Sequence, residues 1–573
     1  MQKDNQENHK ITDVNTIAWL LESVKGYKGY LFVLVLLQIF VNGGGVCYAL
    51  IMKGIVDSAV AQNKAGFVKG LGSFGLLMLT LLFLRILLRQ MEEATRSGME
   101  NRLKAKLFEK LLQKDYESVN ALHSEEWMNR MTSDTAVCAG GMTDILPGFL
   151  GLLVRLVGAL GMVLVLQRGL AYILIPGGVV FMGITLILRK YLKAYHKKVQ
   201  EKDGAVRVFV QEHISSMLIL RTFGVEQEAL QGADRELREY RKARMKKALV
   251  SNFCNTGFSV AINGMYLLGL GYCGFGIVNG TVSYGTLTAI LQLIGQLQTP
   301  LAGISGFVPR FYATLASGER LMEVESFKET DTKNVKSAEE AKQIYENRLR
   351  EIRLDKVAFD YHKEKEDFQV LQEVSLRVQK GDYVAITGTS GCGKSTLLKL
   401  LMGIYEPKSG KIEALLEDGS TMPIFDLKRL FAYVPQGNYL MSGTIREIVT
   451  FGKEKETKDH TLTVEQALQL ACGEFVFELP EGLETVLGEK GAGLSEGQMQ
   501  RIAIARALYT DAPVLIMDES TSALDGATEI ALLQNLKQLK NKTVFIVTHR
   551  PEALRICNRE VEFGENGMIV VKG

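Results

Sequence analysis

The sequence predicts two unlike halves: a membrane-embedded bundle of six α-helical spans, then an α/β domain. Three observations carry this reading. Apolar runs long enough to cross a bilayer, which takes about 20 residues, all lie before residue 312. After residue 353, short β-branched runs alternate with helical segments. A glycine-rich loop joins one of those strands to a helix at residues 388–395. Bulk composition hides the division: 47% of residues are apolar and 23% are charged, and mean hydropathy is +0.07.

Of 573 residues, 67 are Lys or Arg and 64 are Asp or Glu, a net charge of +3. That balance gives no electrostatic footprint for nucleic acid and excludes a histone-like or disordered chain. The seven cysteines (Cys47, Cys138, Cys254, Cys273, Cys392, Cys472, Cys557) are scattered without a CxxC pair. Neither a disulfide framework nor a zinc site is expected from them.

The six expected spans are 30–52, 71–88, 145–166, 170–188, 248–278 and 284–311, the last two more polar than the rest. Residues 1–15 are polar and no small-residue cleavage site follows the first run, which is therefore read as a retained span. About 29 residues precede that run, so no fused peptidase is expected. Lys and Arg crowd the second connection (Arg96, Arg102, Lys104, Lys106, Lys110, Lys114, Arg130) and the fourth, with fifteen in residues 189–247, and are sparse in the others. That asymmetry places the N-terminus and the long connections in the cytoplasm. Apolar residues at helical spacing, such as Leu103, Leu107 and Leu111, predict helices prolonging the spans into those connections.

The domain layout is a membrane domain over 1–325, a charged linker over 326–350 and an α/β domain over 351–573. In the last, strand 383–387 leads into Gly388-Thr389-Ser390-Gly391-Cys392-Gly393-Lys394-Ser395, with Thr396 and a helical run behind it. Strand, GxxxxGK[ST] loop and helix in that order form a phosphate cradle, in which glycines let backbone N–H groups approach phosphate oxygens. Lys394 neutralises the β and γ phosphates, and the Ser395 hydroxyl is a hard ligand suited to Mg²⁺. Downstream, Val514-Leu515-Ile516-Met517-Asp518-Glu519 reads as a buried strand that delivers two carboxylates to its tip. Asp518 suits the Mg²⁺ shell, and Glu519 is placed to orient or deprotonate an attacking water.

Leu494-Ser495-Glu496-Gly497-Gln498 resembles the LSGGQ peptide of ATP-binding cassette (ABC) transporters, and the six spans followed by one cassette resemble their exporter-type half-transporters. The resemblance covers nearly the whole chain and implies an exporter-type membrane domain joined to an ABC-type P-loop ATPase domain. It implies that Gln436 senses Mg²⁺ and the water, that His549 holds the γ-phosphate, that Asp525 lies at a dimer interface, and that Tyr361 stacks on adenine. It also implies that Ser495, Gly497 and Gln498 meet ATP held by a second chain, so that the unit is a homodimer or a heterodimer with two ATP at its interface. Glu489, in Thr485-Val486-Leu487-Gly488-Glu489-Lys490-Gly491, resembles the exporter-specific loop. Segments 118–127 and 215–223 resemble the family's force-transmitting helices. Glu496 departs from the usual glycine, while Ser495 and Gly497 are kept.

Charges inside the spans are costly unless they face a cavity or a partner. Arg155 lies about 18 Å from the connection at Gln167 by helical rise, and Arg85 about 22 Å from Gly70, both within a core about 30 Å thick. Arg155 is read either as facing a cavity for a partly polar or anionic amphipath such as a peptide or lipid, or as a packing group paired with a helix carbonyl or a polar neighbour. Asn42, Asn255, Asn263, Gln292, Gln296 and Gln298 add hydrogen-bonding capacity. The functional expectation is ATP-driven export or lipid flipping; a metal-chelate importer on the same scaffold and a regulatory membrane ATPase are the alternatives. Short external connections point to a bacterial cytoplasmic membrane.

Overall fold

The structure is a computed structural model that describes residues 15–363, 366–437, 440–451, 462–488, 493–539, 541–564 and 569–572. The chain forms two compact units, Met1–Leu112 with His123–Ser326, and Gln113–Leu122 with Phe327–Gly573.

The first unit is helical. Six long helices follow one another: α1 (Lys28–Val60), α2 (Lys64–Gln113), α3 (Thr135–Leu166), α4 (Arg168–Ser215), α5 (Glu226–Val278) and α6 (Tyr284–Glu323). Four stretches, Lys25–Val60, Lys64–Gln113, Ser124–Leu166 and Glu226–Val278, are long and apolar enough to cross a membrane among the described residues. The fourth and sixth expected spans fall on α4 and α6, where several side chains lie outside the description. α2, α4 and α5 each run well past their apolar stretch without a break, so both long connections are helical, as their spacing predicts.

α6 packs against α3, α1 and α5, and α4 against α5. Small residues allow the close approach: Ala49, Ala159, Ala171 and Ala289 are fully buried beside Ile290 and Leu293. The outward surface is apolar instead of charged, with Phe40, Leu76, Leu79 and Phe83 each more than half exposed, the reverse of a water-soluble bundle. Asp57 on α1 accepts from the Gly285 N–H at 2.9 Å and the Ser283 hydroxyl at 3.1 Å, pinning one end of α6. At the other end, the π-helical segment Arg130–Asp134 precedes α3. Buried Asp134 accepts from Arg320 at 2.8 and 2.5 Å and from Ser317 at 2.9 Å.

The region expected to carry a transmitting helix at 118–127 holds two, Tyr116–Asn120 and Ser124–Asn129. The first is N-capped by Asp115, whose carboxylate accepts from Ser118 N–H at 2.9 Å. It belongs to the second unit. The other expected segment is the helix Met217–Phe223, closed by Gly224 in the left-handed region and exposing Leu218, Ile219 and Phe223.

In the second unit, a six-stranded sheet runs in the spatial order Ile569–Lys572, Arg559–Phe563, Tyr383–Gly388, Thr543–Val547, Val514–Asp518, Phe431–Val434, and an antiparallel four-stranded sheet starts from Leu349–Lys363. All six-sheet neighbours are parallel except the first pair. The central strands Val514–Asp518 and Thr543–Val547 are buried at every position, the continuous apolar pattern of a sheet covered on both faces. Residues 326–350, expected as a linker, include the helix Ala338–Asn347 with a Ser337–Glu340 capping box. Tyr345 of that helix is fully buried in the core and its hydroxyl bonds Thr543 at 2.9 Å, so this stretch packs as part of the second unit.

Candidate nucleotide site

The parallel sheet brings the expected residues to one edge. Strand Thr543–Val547 lies between Tyr383–Gly388 and Val514–Asp518, with Val547 opposite both Ile386 and Asp518. The glycine-rich loop, Asp518-Glu519 and His549 therefore all leave the carboxyl ends of neighbouring strands, where open α/β sheets bind ligands. Strand Phe431–Val434 pairs with Val514–Asp518 on the far side and delivers Gln436.

Gly388, Gly391 and Gly393 have φ of +135°, +83° and +106°. A side chain at Gly388 would stand 2.7 Å from the Phe563 backbone oxygen, so the loop cannot be built from other residues without a shift. It opens the helix Lys394–Leu401, whose first turn leaves backbone N–H groups without intrahelical partners. Thr389, Ser390 and Gly391 are exposed and Cys392 half-buried at the rim. Lys394 is buried and its ammonium donates to the carbonyls of Gly388 at 2.6 Å and Thr389 at 2.9 Å. A buried ammonium held by neutral carbonyls at the start of a helix is a cationic loop whose chemistry suits phosphate oxygens.

Asp518 is buried at the strand tip, and burial pushes its carboxyl above the ordinary carboxylate value, opposed by hydrogen bonds from Ser395 and Tyr433. Ser395 and Asp518, the pair expected to hold Mg²⁺, are thus in direct contact. Gln436, the third residue expected to hold Mg²⁺, leaves the neighbouring strand, and its amide oxygen with the Ser395 hydroxyl and the Asp518 carboxylate would supply hard donors of the kind a small divalent cation takes. Gln436 Nε2 donates to Glu519 Oε2 at 2.6 Å. Glu519 has φ +48°, an unusual conformation for a non-glycine residue and a form of strain that concentrates at functional sites. His549 is exposed just beyond the neighbouring strand. Tyr361 is half-buried, and its hydroxyl shares a 3.0 Å hydrogen bond with Thr396 on the loop's helix.

The LSGGQ-like peptide opens another helix, Glu496–Tyr509. Ser495 caps it reciprocally with Gln498: the serine hydroxyl accepts from Gln498 N–H at 3.2 Å and the glutamine side chain accepts from Ser495 N–H at 2.8 Å. Glu496, the departure from glycine, is exposed in the first turn, where a carboxylate complements the helix dipole. A side chain at Gly497 would meet the Ala523 carbonyl at 2.8 Å. Among the described residues no hydrogen bond joins Ser495, Gly497 or Gln498 to the phosphate loop. Asp525 caps the helix Gly526–Lys537, and the Thr528 hydroxyl and N–H hold its carboxyl below the ordinary value.

Three contributors lay outside the sequence expectations. Tyr433 bonds Asp518 at 3.2 Å. Gln500 Oε1 accepts from Ala523 N–H at 3.3 Å, linking the LSGGQ-like helix to the turn before Asp525. Arg550 donates to Glu529 at 2.6 Å and to the carbonyls of Ser522 and Leu524 at 2.7 and 3.0 Å. Tyr433 and Arg550 adjoin motif residues in the chain, which is the signal that could have found them. Glu489 lies outside the described residues.

Residues 31–301 match the family described as ABC transporter transmembrane region, and residues 371–522 match ABC transporter. The chain is 30% identical over 390 residues to the "Probable ABC transporter ATP-binding/permease protein" of Haemophilus influenzae, covering 67% of each chain. It belongs to the ABC transporter family. In this ABC transporter chain the two matches are fused in the order membrane region, then cassette. It is also 32% identical over 387 residues to "Probable multidrug resistance ABC transporter ATP-binding/permease protein YheI" of Bacillus subtilis, covering 66% of this chain and 63% of that one. In fold it is similar to "Structure of a bacterial Atm1-family ABC exporter with ATP bound", with a TM-score of 0.75, 21% identity and coverage of 95% and 94% of the two chains. The ABC chain is an integral membrane protein whose cassette is of the ATP-binding type.

Proposed function

We propose that the chain is a half-transporter that exports an amphipathic substrate across a bacterial cytoplasmic membrane, driven by ATP binding and hydrolysis between two cassettes. The observation that carries this reading is the division of the nucleotide site: a phosphate cradle at Gly388–Thr396 and an LSGGQ-like cap at Ser495–Gln498 to which no hydrogen bond joins it among the described residues. Two copies, arranged so that each cap meets the other's cradle, give two complete sites. Because one chain holds Lys394, Glu519, Ser495 and His549 together, a homodimer suffices. The long helical connections and the cassette face the cytoplasm, following the Lys and Arg asymmetry.

In this mechanism the loop N–H groups and Lys394 bind the β and γ phosphates, while Tyr361 lies beside the adenine. Ser395, Asp518 and Gln436 would hold Mg²⁺, which when bound would supply charge neutralisation on the phosphate oxygens. Glu519, oriented by Gln436, accepts the proton of the water that attacks the γ-phosphorus, and His549 donates to the γ-phosphate. Loss of that phosphate removes the bridge between the cassettes and lets them part.

The motion has a route to the spans. The helix Tyr116–Asn120 follows directly on α2 and packs in the second unit, with Tyr116 and Tyr405 ring centroids 5.8 Å apart and the Lys399 ammonium 6.0 Å from the Tyr116 ring. Lys399 is on the same short helix as Lys394, so nucleotide-driven movement of that helix is felt at Tyr116. The exposed apolar helix Met217–Phe223 is the matching surface for the second copy. The similarity to a multidrug resistance transporter and to an Atm1-family exporter favours export over uptake. The test is ATP-dependent movement of a fluorescent amphipath in inside-out vesicles holding the chain. Accumulation inside, lost in Glu519→Gln, is expected; depletion from the lumen would reverse the direction.

A further inference from the structure

The membrane unit holds a cavity of about 240 Å³ between α1, α2, α3 and α6, whose lining includes Asn42, Tyr48, Arg85, Arg155, Gln292 and Gln296. Two guanidiniums and no carboxylate face this space. Neither arginine has an ion-pair or hydrogen-bond partner among the described residues, and Arg155 Nε is buried and unsatisfied. The packing reading of Arg155, a pairing with a helix carbonyl or a polar neighbour, therefore finds no such bond among the described residues. Gln296 is oriented by a 2.6 Å bond from its Nε2 to the Gly45 carbonyl, which leaves its buried Oε1 without a donor. Asn42 spends its amide N–H groups on Gln38 of its own helix, at 2.8 and 3.0 Å.

Two unneutralised cations within a membrane span are costly unless they are countered, and here no carboxylate lines the cavity among the described residues. A guanidinium presents a planar fork of donors matched to phosphate or carboxylate oxygens. Two such forks carry two full positive charges, which one carboxylate only half neutralises and a phosphomonoester, close to dianionic at neutral pH, neutralises fully. The volume suits a headgroup and not an acyl chain, and the unsatisfied Gln296 Oε1 calls for a hydroxyl or N–H beside the phosphate.

Resting on the exporter reading, we propose that this cavity binds the phosphomonoester headgroup of the transported amphipath, with Arg85 and Arg155 clamping the phosphate and Gln296 Oε1 accepting from a neighbouring hydroxyl. The test measures binding by native mass spectrometry to the full chain in phosphatidylcholine nanodiscs without nucleotide. Three probes are used: oleoyl lysophosphatidic acid, oleoyl lysophosphatidylcholine with the same chain and a zwitterionic head, and glycerol 3-phosphate with no chain. The phosphomonoester lipid is expected to bind at least about tenfold more tightly than the zwitterion, a preference lost in Arg155→Gln and in Arg85→Gln and partly kept in Arg155→Lys. Thermal midpoints of the variants separate this loss from misfolding. Equal binding of the two lipids, or an unchanged preference in both Gln variants, overturns the assignment. Glycerol 3-phosphate binding as tightly as the lipid overturns the amphipath and leaves a soluble organic phosphate. Binding is read without ATP, so failure of the exporter reading shows separately, as absence of ATP-dependent movement in vesicles.

Discussion

Gln436 Nε2 donates to Glu519 Oε2 across 2.6 Å, joining residues 83 positions apart. The bond reaches the carboxylate from the strand beside its own and orients it without neutralising it. Replacing Glu519 by Gln preserves an oxygen that accepts from Gln436 but removes the base. ATP turnover is expected to fall by about 10²- to 10⁴-fold with ATP binding retained, as read by phosphate release and by nucleotide titration.

Lys394 is held on the carbonyls of Gly388 and Thr389, from which it exchanges onto phosphate oxygens. Lys394→Ala is expected to weaken ATP binding by about tenfold or more. Binding of a fluorescent ATP analogue measures this, and AMP, which lacks the β and γ phosphates, should discriminate little between the two chains.

Gly393 combines φ +106° with close neighbours, a side-chain carbon there standing 2.9 Å from Leu371 and 3.0 Å from Val370. Gly393→Ala should cost about 1–3 kcal/mol in backbone strain and distort the loop, lowering both the thermal midpoint and ATP affinity.

Glu529 is almost fully buried and Arg550 is its ion-pair partner. Arg550→Ala leaves that carboxylate and two carbonyls without a donor, an expected loss of about 1.5–3 kcal/mol. Arg550→Lys should recover part of it, as denaturant titration of both variants would reveal.

Lys342 bonds Asp511 at 2.7 Å, and this bond holds its ammonium above the ordinary lysine value. A raised cationic pKa stabilises the fold fully below the unfolded value of about 10.5 and loses that contribution as pH rises through the folded value. The stability difference between the parent and Lys342→Met should therefore be constant from neutral pH to about 10 and shrink above it, which thermal melts across that range measure.

The apolar runs and the GxxxxGK[ST] loop were legible in the sequence because each is written in consecutive residues whose physics is local. Contacts between distant strands were not. Tyr345 reads as part of a charged linker until its hydroxyl is seen on Thr543, and Arg550 reads as a flanking residue until the fold brings Glu529 to it. The expected helix at 118–127 starts earlier, at Tyr116, because Asp115 caps its first turn, and a second helix begins at Ser124. Glu496 reads as a departure from the usual glycine of the LSGGQ-like peptide, and its place in the first helical turn makes its charge favourable.

The central claim is that two chains enclose two ATP. It is tested most directly by native mass spectrometry of the Glu519→Gln chain in lipid with ATP and Mg²⁺. The expected particle contains two copies of the 63.5 kDa chain and two ATP. A single chain retaining ATP by itself, with no two-chain species at any protein concentration, would contradict the account.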